Sequence, residues 1–198
     1  MNDWPPAHSV GLTPDLTVDL PLIRDPATGF AFYSFNMIGK AGWCEKTAQE
    51  LAQRLKSGLG ESPEAFVTAE AKAIALTQEL ARNFGHDRYV VLRKSRKSYM
   101  RDPVSFRGGS ITSGEQEYWV EQADLDYLCG KRVVLVDDVV STGGTAKTFL
   151  KVVGLVRCRL LAFCCVLTEG TQWTQFEGIP VISLNHLPLP GVIRGVEA

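Results

Sequence analysis

The sequence alternates short, continuously apolar segments with amphipathic segments, and this alternation restricts the fold more than any other feature. The apolar segments read, in chain order, AFVTA, RYVVLR, RVVLVDD, LLAFCCVL and IPVISL. Between them, segments such as EKTAQELAQRLKSGLG and AEAKAIALTQELARNFG place apolar residues at helical spacing and end at glycine. Strands that are apolar throughout are typical of a parallel sheet covered on both faces. The predicted fold class is therefore α/β, with a central parallel sheet flanked by helices.

Both ends of the chain depart from this alternation. Near the N-terminus, residues 16–23 and 30–36 are rich in strand-forming types and flank the turn sequence DPATG, which predicts a β-hairpin. The C-terminal segment LNHLPLPGVIRGVEA is rich in proline and is predicted to wrap around the surface. We therefore expect an N-terminal hairpin region over residues 1–42, an α/β core over residues 43–184 and a C-terminal tail over residues 185–198.

Composition and charge limit the classes of protein and partner. The chain has 198 residues, 45% of them hydrophobic, and a formal net charge of −1, which suits one compact domain and gives no general reason to expect nucleic acid or membrane as partner. The longest apolar run, LLAFCCVL, is too short to span a bilayer, and no secretory signal is visible. The five cysteines show no C-x-x-C and no metal-type spacing, which predicts reduced thiols in a cytoplasmic protein.

The segment VVLVDDVVSTGGT carries the strongest signal of chemistry. Asp137 and Asp138 follow a buried strand, and ligands of parallel sheets bind beyond the carboxyl ends of the strands. Residues 141–145 then supply hydroxyl groups, two glycines that permit a tight turn of backbone amides, and the positive N-terminus of a following helix. Carboxylates suited to sugar hydroxyls, followed by a cup suited to a phosphate, describe a site for a ribose 5-phosphate.

Other kinds of site share part of this pattern. A Walker-B strand also ends in acids, but the chain has no G-x-x-x-x-G-K-[ST] loop, and without G-x-G-x-x-G a dinucleotide site is not expected. An acidic pocket of the phospho-receiver type would not need a glycine-threonine cup directly after it. The remaining alternative is a polar strand end followed by an ordinary turn.

The segment VVLVDDVVSTGGT resembles the phosphoribosyl-pyrophosphate (PRPP) motif of the type I phosphoribosyltransferases, and its arrangement is closest to the adenine phosphoribosyltransferase-like branch. Two further segments agree in order and spacing. TAEAKAIAL resembles the pyrophosphate loop, with Glu70-Ala71-Lys72 where that branch carries Glu-Ala-Arg, and VVLRKSRKSYM resembles the strand leading into the flexible catalytic loop, here about residues 94–122. The resemblance implies a Rossmann-like core with a small hood built from the N-terminal hairpin and the C-terminal segment.

The resemblance also implies a reaction and its residues. The 5-phosphoribosyl group would pass from PRPP to a purine base, most similar to adenine, with release of pyrophosphate, Mg²⁺ as cofactor and a homodimer as the assembly. Catalysis would involve Asp137, Asp138 and Lys94, and the two aspartates would contact the metal directly or through water and PRPP. The residues implied in binding PRPP are Asp137, Asp138, Val139, Val140, Ser141, Thr142, Gly143, Gly144 and Thr145. Those implied in binding pyrophosphate are Ala69, Glu70, Ala71, Lys72, Arg93, Lys94 and Lys97.

The base pocket is less sharply defined, and it leaves alternatives open. Its candidates are the aromatic residues of the hairpin and the loop after CCVL, namely Phe30, Phe32, Glu169 and Trp173. The adenine branch carries Glu-Tyr-Gly in its flexible loop, whereas this loop reads SITSGEQEYWVEQ, and neither Glu115 nor Glu117 aligns with that glutamate without a shift. A PRPP-binding regulatory or orphan protein without purine transfer therefore remains an alternative, as does an enzyme that acts on a non-purine base or another nucleophile.

Overall fold

The structure is a computed structural model that describes residues 4–110 and 114–192. No helix within these residues is long and apolar enough to span a membrane. Along the chain, the elements are β1 (Ala7–Thr13), β2 (Leu16–Arg24), β3 (Phe30–Tyr33), α1 (Ala41–Gly58), β4 (Ala65–Ala69), α2 (Ile74–Asn83), β5 (Val90–Leu92), β6 (Pro103–Ser110), β7 (Gly114–Glu121), α3 (Gln122–Leu128), β8 (Arg132–Val140), α4 (Gly144–Val156), β9 (Arg159–Glu169), β10 (Gln175–Phe176), β11 (Ile179–Leu187) and β12 (Gly191–Val192).

The alternating strands and helices form a six-stranded central sheet in the order β10-β11-β9-β8-β4-β5. The neighbours from β11 to β5 are parallel, and the short β10 at the edge is antiparallel. All of β4 and residues 162–168 of β9 are buried, as expected for strands covered on both faces. The predicted α/β class and central parallel sheet are confirmed.

Two hydrophobic clusters cover the two faces of the central sheet. One contains α1, α2 and the N-terminal strands, and the other contains α3, α4 and the pair β6–β7. Strand β8 contributes to both, because neighbouring residues of a strand point to opposite faces. Val134 and Val136 belong to the first cluster, whereas Val133 and Leu135 belong to the second. Side chains at the end of β8 are therefore directed into two different surroundings.

A second sheet, in the order β1-β2-β3-β12, joins the two ends of the described chain, and we call it the hood. The predicted hairpin is formed by β2 and β3, with Asp25 accepting hydrogen bonds from Ala27 and Thr28 in its turn. Strand β1 is not predicted, because its alternating buried residues Val10 and Leu12 are separated by glycine and flanked by polar types. The C-terminal tail reaches the hood through β12, and residues 193–198 lie outside the described residues.

The segment 94–122, expected to be one long loop, contains a regular antiparallel hairpin. Strands β6 and β7 pair from Pro103 opposite Glu121 to Ser110 opposite Gly114, and α3 begins directly after them. Phe106 and Tyr118 are buried and stack with ring centroids 6.0 Å apart. The expectation of an irregular stretch is wrong here, because Val104 pairs with Val120 and Phe106 with Tyr118, and these residue types favour strands.

All five cysteines are free. Cys44, Cys164 and Cys165 are buried, and burial raises the pKa of each thiol above its ordinary value. Buried thiols of this kind pack as small hydrophobic groups rather than react. The expectation of reduced thiols in the core holds for these three residues.

Candidate active site

A pocket of about 260 Å³ opens at the carboxyl end of the central sheet, the edge at which parallel α/β sheets bind ligands. Three neighbouring strands supply most of its wall. The loop 69–72 begins at Ala69, the last residue of β4. The acidic residues come from the other two strands: Asp137 and Asp138 belong to β8 together with Val139, and Glu169 ends β9. The remaining lining residues are Lys94, Tyr118, Ser141 and Thr145.

The two aspartates point to opposite sides of β8, because the strand continues through both to Val140. Asp138 faces the loop after β4, where its Oδ2 lies 3.2 Å from Lys72 Nζ. The two atoms are at ion-pair distance but do not have hydrogen-bond geometry. Oδ2 is buried, and it has no hydrogen-bond partner among the described residues. Asp137 faces α4 and the β6–β7 hairpin, where its carboxylate interacts with Thr145. The pocket therefore encloses the end of β8 from both sides.

Electrostatic strain is concentrated at Asp137. Burial, and next the adjacent Asp138 carboxylate, raises the pKa of Asp137 well above its ordinary value. The Asp138 amide offsets part of this effect by donating a hydrogen bond to Asp137 Oδ1 at 2.9 Å. Burial and the Asp137 charge also raise the pKa of Tyr118, which borders the same side of the pocket. Such a pair of carboxylates gains stability when a cation or hydroxyl donors bind to it.

The segment 141–145, which we call the turn 141–145, comprises the tight turn after β8 and the first two residues of α4. Gly143 has a φ of +77°, and a Cβ atom there would lie 2.3 Å from Phe176 Cε2, so the backbone and the packing both require glycine. Trp173 Nε1 donates a hydrogen bond to the Ser141 carbonyl at 2.7 Å, which ties the loop after β9 to this turn. The N-terminus of α4 has no side-chain cap, so its amide groups are available to an anion.

The loop after β4 is fixed to the end of β5 by Glu70. One carboxylate oxygen forms an ion pair with Arg93 Nε at 2.9 Å, and the other accepts a hydrogen bond from the Lys94 amide at 2.7 Å. The peptide bond between Glu70 and Ala71 is cis. Lys72 also donates a hydrogen bond to the Phe35 carbonyl at 3.4 Å, which brings the segment after β3 to this loop. Lys72 and Lys94 thus supply two ammonium groups to one wall of the pocket.

Glu169 borders the opposite wall, because β9 and β4 lie on either side of β8. Burial raises the pKa of Glu169 above its ordinary value. A hydrogen bond from the Ser141 hydroxyl and the charge of Lys72 lower it in part, and the charge of Asp138 raises it. Glu169 is therefore a half-buried acid, held by the turn 141–145 and open to the pocket.

The structure brings most of the predicted site residues to this pocket. The predicted residues in its wall are Ala69, Glu70, Ala71, Lys72, Lys94, Asp137, Asp138, Val139, Ser141, Thr145 and Glu169. Gly143 and Gly144 shape the turn, whereas Val140 is buried beneath it and Thr142 is exposed. Arg93 stands behind the wall with Glu70, and Lys97 Nζ donates to Ser95 Oγ at 2.7 Å outside the described lining.

Three of the four base-binding candidates have other surroundings. Phe30 and Phe32 lie on strand β3 of the hood, opposite Val192 and Ile23. Trp173 packs edge-on against Phe176 with centroids 5.3 Å apart while its indole N–H bonds to the turn 141–145. None of the three belongs to the described lining, and only Glu169 does.

Tyr118 is the lining residue that sequence reasoning missed. Its signal is the run Tyr-Trp-Val in EYWVE, three residue types that favour strands, which becomes visible once the segment is taken as a strand rather than a loop. Its position beside Asp137 then follows from the packing of the hairpin against α4. That packing is not encoded by any local motif.

Comparison with known proteins identifies the family. Residues 36–185 match the family model described as a phosphoribosyl transferase domain. The chain belongs to this family. A hypoxanthine/guanine phosphoribosyltransferase from Methanocaldococcus sp. (strain FS406-22) is 28% identical over 127 residues, which cover 63% of this chain and 61% of that protein. One from Methanosphaerula palustris is 44% identical over 61 residues, covering 30% of this chain and 34% of that protein. The chain thus spans less than two thirds of the length of these relatives.

Solved structures of phosphoribosyltransferases share the fold. Adenine phosphoribosyltransferase from Thermoanaerobacter pseudethanolicus matches with a TM-score of 0.68 at 22% identity, covering 84% of this chain and 95% of that one. The protein of the same name from Rhodothermus marinus matches with a TM-score of 0.65 at 19% identity, covering 85% and 94%. The resemblance to the type I phosphoribosyltransferases, and to the fold of their adenine branch, is confirmed.

Proposed function

We propose that the protein transfers the 5-phosphoribosyl group of PRPP to a purine base and releases pyrophosphate. The observation that carries this proposal is the single pocket in which the aspartate pair, the turn 141–145 and the loop 69–72 meet. Further support comes from the family and from the names of the relatives and neighbours. One neighbour, the adenine phosphoribosyltransferase from Trypanosoma brucei, is described in complex with AMP, pyrophosphate and ribose-5-phosphate.

In this proposal, each part of PRPP binds to a different group of pocket residues. The 5-phosphate would bind to the turn 141–145, where the amides at the start of α4 are unoccupied by a cap. The ribose hydroxyls would donate hydrogen bonds to Asp137 and Asp138. The diphosphate would lie against the loop 69–72, where Lys72 and Lys94 would stabilise the negative charge that develops on the leaving group.

Mg²⁺ is the proposed cofactor, and Asp137 and Asp138 are the residues that would hold it, directly or through water. The fit is supported by Asp138 Oδ2, a buried carboxylate oxygen that is ion-paired with Lys72 but accepts no hydrogen bond from the residues that the structure describes, and by the raised pKa of its neighbour Asp137. Hard oxygen ligands of this kind suit Mg²⁺, which is usually shared between one or two carboxylates and substrate phosphates. When bound, the ion would neutralise part of the charge on the diphosphate.

The relatives and the structural neighbours favour different purines as the accepted base. Adenine is favoured by the resemblance of the PRPP motif and by the names of the structural neighbours, whereas the curated relatives are named for hypoxanthine and guanine. Glu169 is the predicted base-binding residue that borders the pocket. A homodimer also remains a proposal from the resemblance. A cytoplasmic location remains a proposal from the cysteines, which are free and agree with a reducing compartment.

Pyrophosphate release tests the proposed function. The protein is incubated with PRPP, Mg²⁺ and one base at a time, namely adenine, hypoxanthine, guanine, xanthine and orotate. We expect release with a purine. Saturable PRPP binding without release for any base would instead support a regulatory protein, and release only with orotate would exclude the purine assignment.

The site itself is tested by the double variant Asp137→Asn/Asp138→Asn. We expect PRPP affinity, measured by isothermal titration calorimetry, to be lost while the circular dichroism spectrum is retained. The neutral amides cannot balance a cation and accept weaker hydrogen bonds from hydroxyl groups than carboxylates do. Asp19→Asn, an exposed position on β2, serves as the matched control and should bind PRPP normally. Unchanged PRPP binding in the double variant would contradict the site assignment.

A further inference from the structure

The strand order places two different walls on opposite sides of the aspartate pair. Strand β8 lies between β4 and β9, the loop 69–72 follows β4, and Glu169 ends β9. Neighbouring strands are about 4.8 Å apart, so the two walls face each other across roughly 10 Å at the end of β8. One wall carries Lys72 and Lys94, and the other carries the Glu169 carboxylate.

This arrangement fixes the direction of attack if the proposed function is correct. The pyrophosphate group then leaves C1 of the ribose toward the lysines of the first wall. A displacement at carbon brings the entering group from the side opposite the leaving group. The nitrogen of the incoming base therefore approaches C1 from the β9 side, where Glu169 is the carboxylate in the wall.

We propose that Glu169 is the general base of the transfer and accepts the proton of the attacking ring N–H. The nitrogen electron pair forms the bond to C1, and the C1–oxygen bond breaks with its electron pair leaving on pyrophosphate. The N–H proton moves to the Glu169 carboxylate and passes to water when the products have left. This role rests on the proposed function and adds to it the residue that removes the proton.

The contacts of Glu169 suit this role. Its carboxylate accepts a hydrogen bond from the Ser141 hydroxyl, which holds it at the end of the sheet. The charged groups that face it are Lys72 from the loop after β4 and Asp138 from β8, while on β11 His186 Nδ1 lies 3.0 Å from Thr168 Oγ1. Burial is the largest influence and raises its pKa toward the range in which a carboxylate is an effective proton acceptor near neutral pH.

The test uses Glu169→Gln, which keeps the size of the side chain and its acceptor for Ser141 but cannot take a proton. At saturating PRPP, Mg²⁺ and purine, we expect kcat to fall by about 10²- to 10⁴-fold, the usual contribution of a general base. The acidic limb of the kcat–pH profile should disappear, because it reports protonation of Glu169. PRPP affinity should match that of the wild type, and Glu45→Gln on the exposed face of α1 should leave the profile unchanged.

A second variant separates proton transfer from a structural role. Glu169→Ala opens space for a small carboxylate, so added formate should restore part of its turnover and leave the wild type unaffected. Wild-type turnover in Glu169→Gln, or a slower rate that keeps the acidic limb, would overturn the role of Glu169 alone. If the wild-type protein releases no pyrophosphate with any of the nucleobases, the proposed function and this role are overturned together.

Discussion

At the residue scale, Asp137 shows how a residue of the candidate site lowers the stability of the fold. Its carboxylate is held next to that of Asp138, and its pKa is raised well above the ordinary value of 3.8. An acid with a raised pKa in the folded state retains its proton in that state over a pH range in which the unfolded chain has released it. The folded state therefore loses stability as the pH rises above the unfolded value.

We expect Asp137→Asn to raise the melting temperature of the ligand-free protein by a few degrees at about pH 8, because the amide cannot ionise. The gain should shrink as the pH falls and disappear well below pH 3.8, where the wild-type carboxyl is protonated in both states. Thermal unfolding across this pH range is the measurement, with the exposed Asp87→Asn as control. An equal gain at every pH would contradict the electrostatic explanation.

Gly143 is the second residue whose replacement has a defined cost. Gly143→Ala should destabilise the protein by at least about 1–3 kcal/mol, because alanine is strained at positive φ and its Cβ would meet Phe176. The matched control is Gly154→Ala in the same helix, where a Cβ meets nothing within 4 Å. This change should raise the free energy of unfolding by about 0.5–1 kcal/mol. Urea unfolding measures both. Adding Phe176→Leu to Gly143→Ala should recover only the packing part of the loss.

Among the secondary-structure elements, the β6–β7 hairpin makes an unexpected contribution to the pocket. Reciprocal backbone hydrogen bonds of 2.8 and 2.7 Å join Arg93 to Trp119, so the hairpin continues the edge of the sheet beyond β5. Lys151 Nζ of α4 donates to the Arg107 carbonyl at 2.9 Å on the other side. The hairpin is thus held at two places, and it carries Tyr118 to the Asp137 side of the pocket.

Two substitutions at Tyr118 distinguish the contribution of its ring to the packing of this hairpin from the contribution of its hydroxyl group. Tyr118→Ala should cost about 3–5 kcal/mol in unfolding free energy, because a buried aromatic ring and its stack on Phe106 are lost. Tyr118→Phe keeps the ring and should cost far less. Urea unfolding distinguishes the two variants. Equal losses would show that the hydroxyl, rather than the stacked ring, supports the hairpin.

Elements whose periodicity and hydrophobicity agree are predictable from the sequence. Helices α1 and α2 and strands β4, β8 and β9 appear where their apolar patterns indicate them. Helix α3 spans only 7 residues, too few for a clear helical period, and it follows a hairpin whose tip is rich in glycine. For this reason the sequence indicates one loop where the structure has the β6–β7 hairpin followed by α3.

The candidate site is predictable only where its residues are contiguous. Asp137, Asp138 and the turn 141–145 lie within nine residues of one another, so one motif indicates them all. The separation of Lys72 and Glu169 onto opposite walls depends on the order of the strands in the sheet, which the local sequence does not contain. The same reason explains why Trp173 was expected near the base and is found bonded to Ser141.

At the scale of the whole molecule, the hood and the central sheet share one hydrophobic cluster. Leu12 and Tyr33 of the hood, Leu51 of α1 and Val134 of β8 all belong to it. Across the same junction, Asn185 Nδ2 donates a hydrogen bond to the Gly11 carbonyl of β1 at 2.9 Å. The hood is therefore expected to unfold together with the sheet rather than as a separate domain.

Two buried leucines test this cooperativity. Leu12→Ala in the hood and Leu51→Ala in α1 should each lower the unfolding free energy by about 2–5 kcal/mol, because each removes a fully buried side chain. Differential scanning calorimetry should show one transition for each variant, shifted to lower temperature. Two transitions, of which only one moves in Leu12→Ala, would contradict a shared core.

The charges along the pocket wall bear on which form of the proposed ligand, a sugar diphosphate, can enter. Among the described lining residues, Glu70, Asp137, Asp138 and Glu169 are acidic, and only Lys72 and Lys94 are basic. Even with Glu70 balanced by Arg93 behind the wall, acids remain in excess. If the proposed function is correct, the bare polyanion and its divalent-metal complex are therefore two different ligands for this pocket. Low free magnesium in the cell would then leave the pocket empty even where the sugar diphosphate is plentiful.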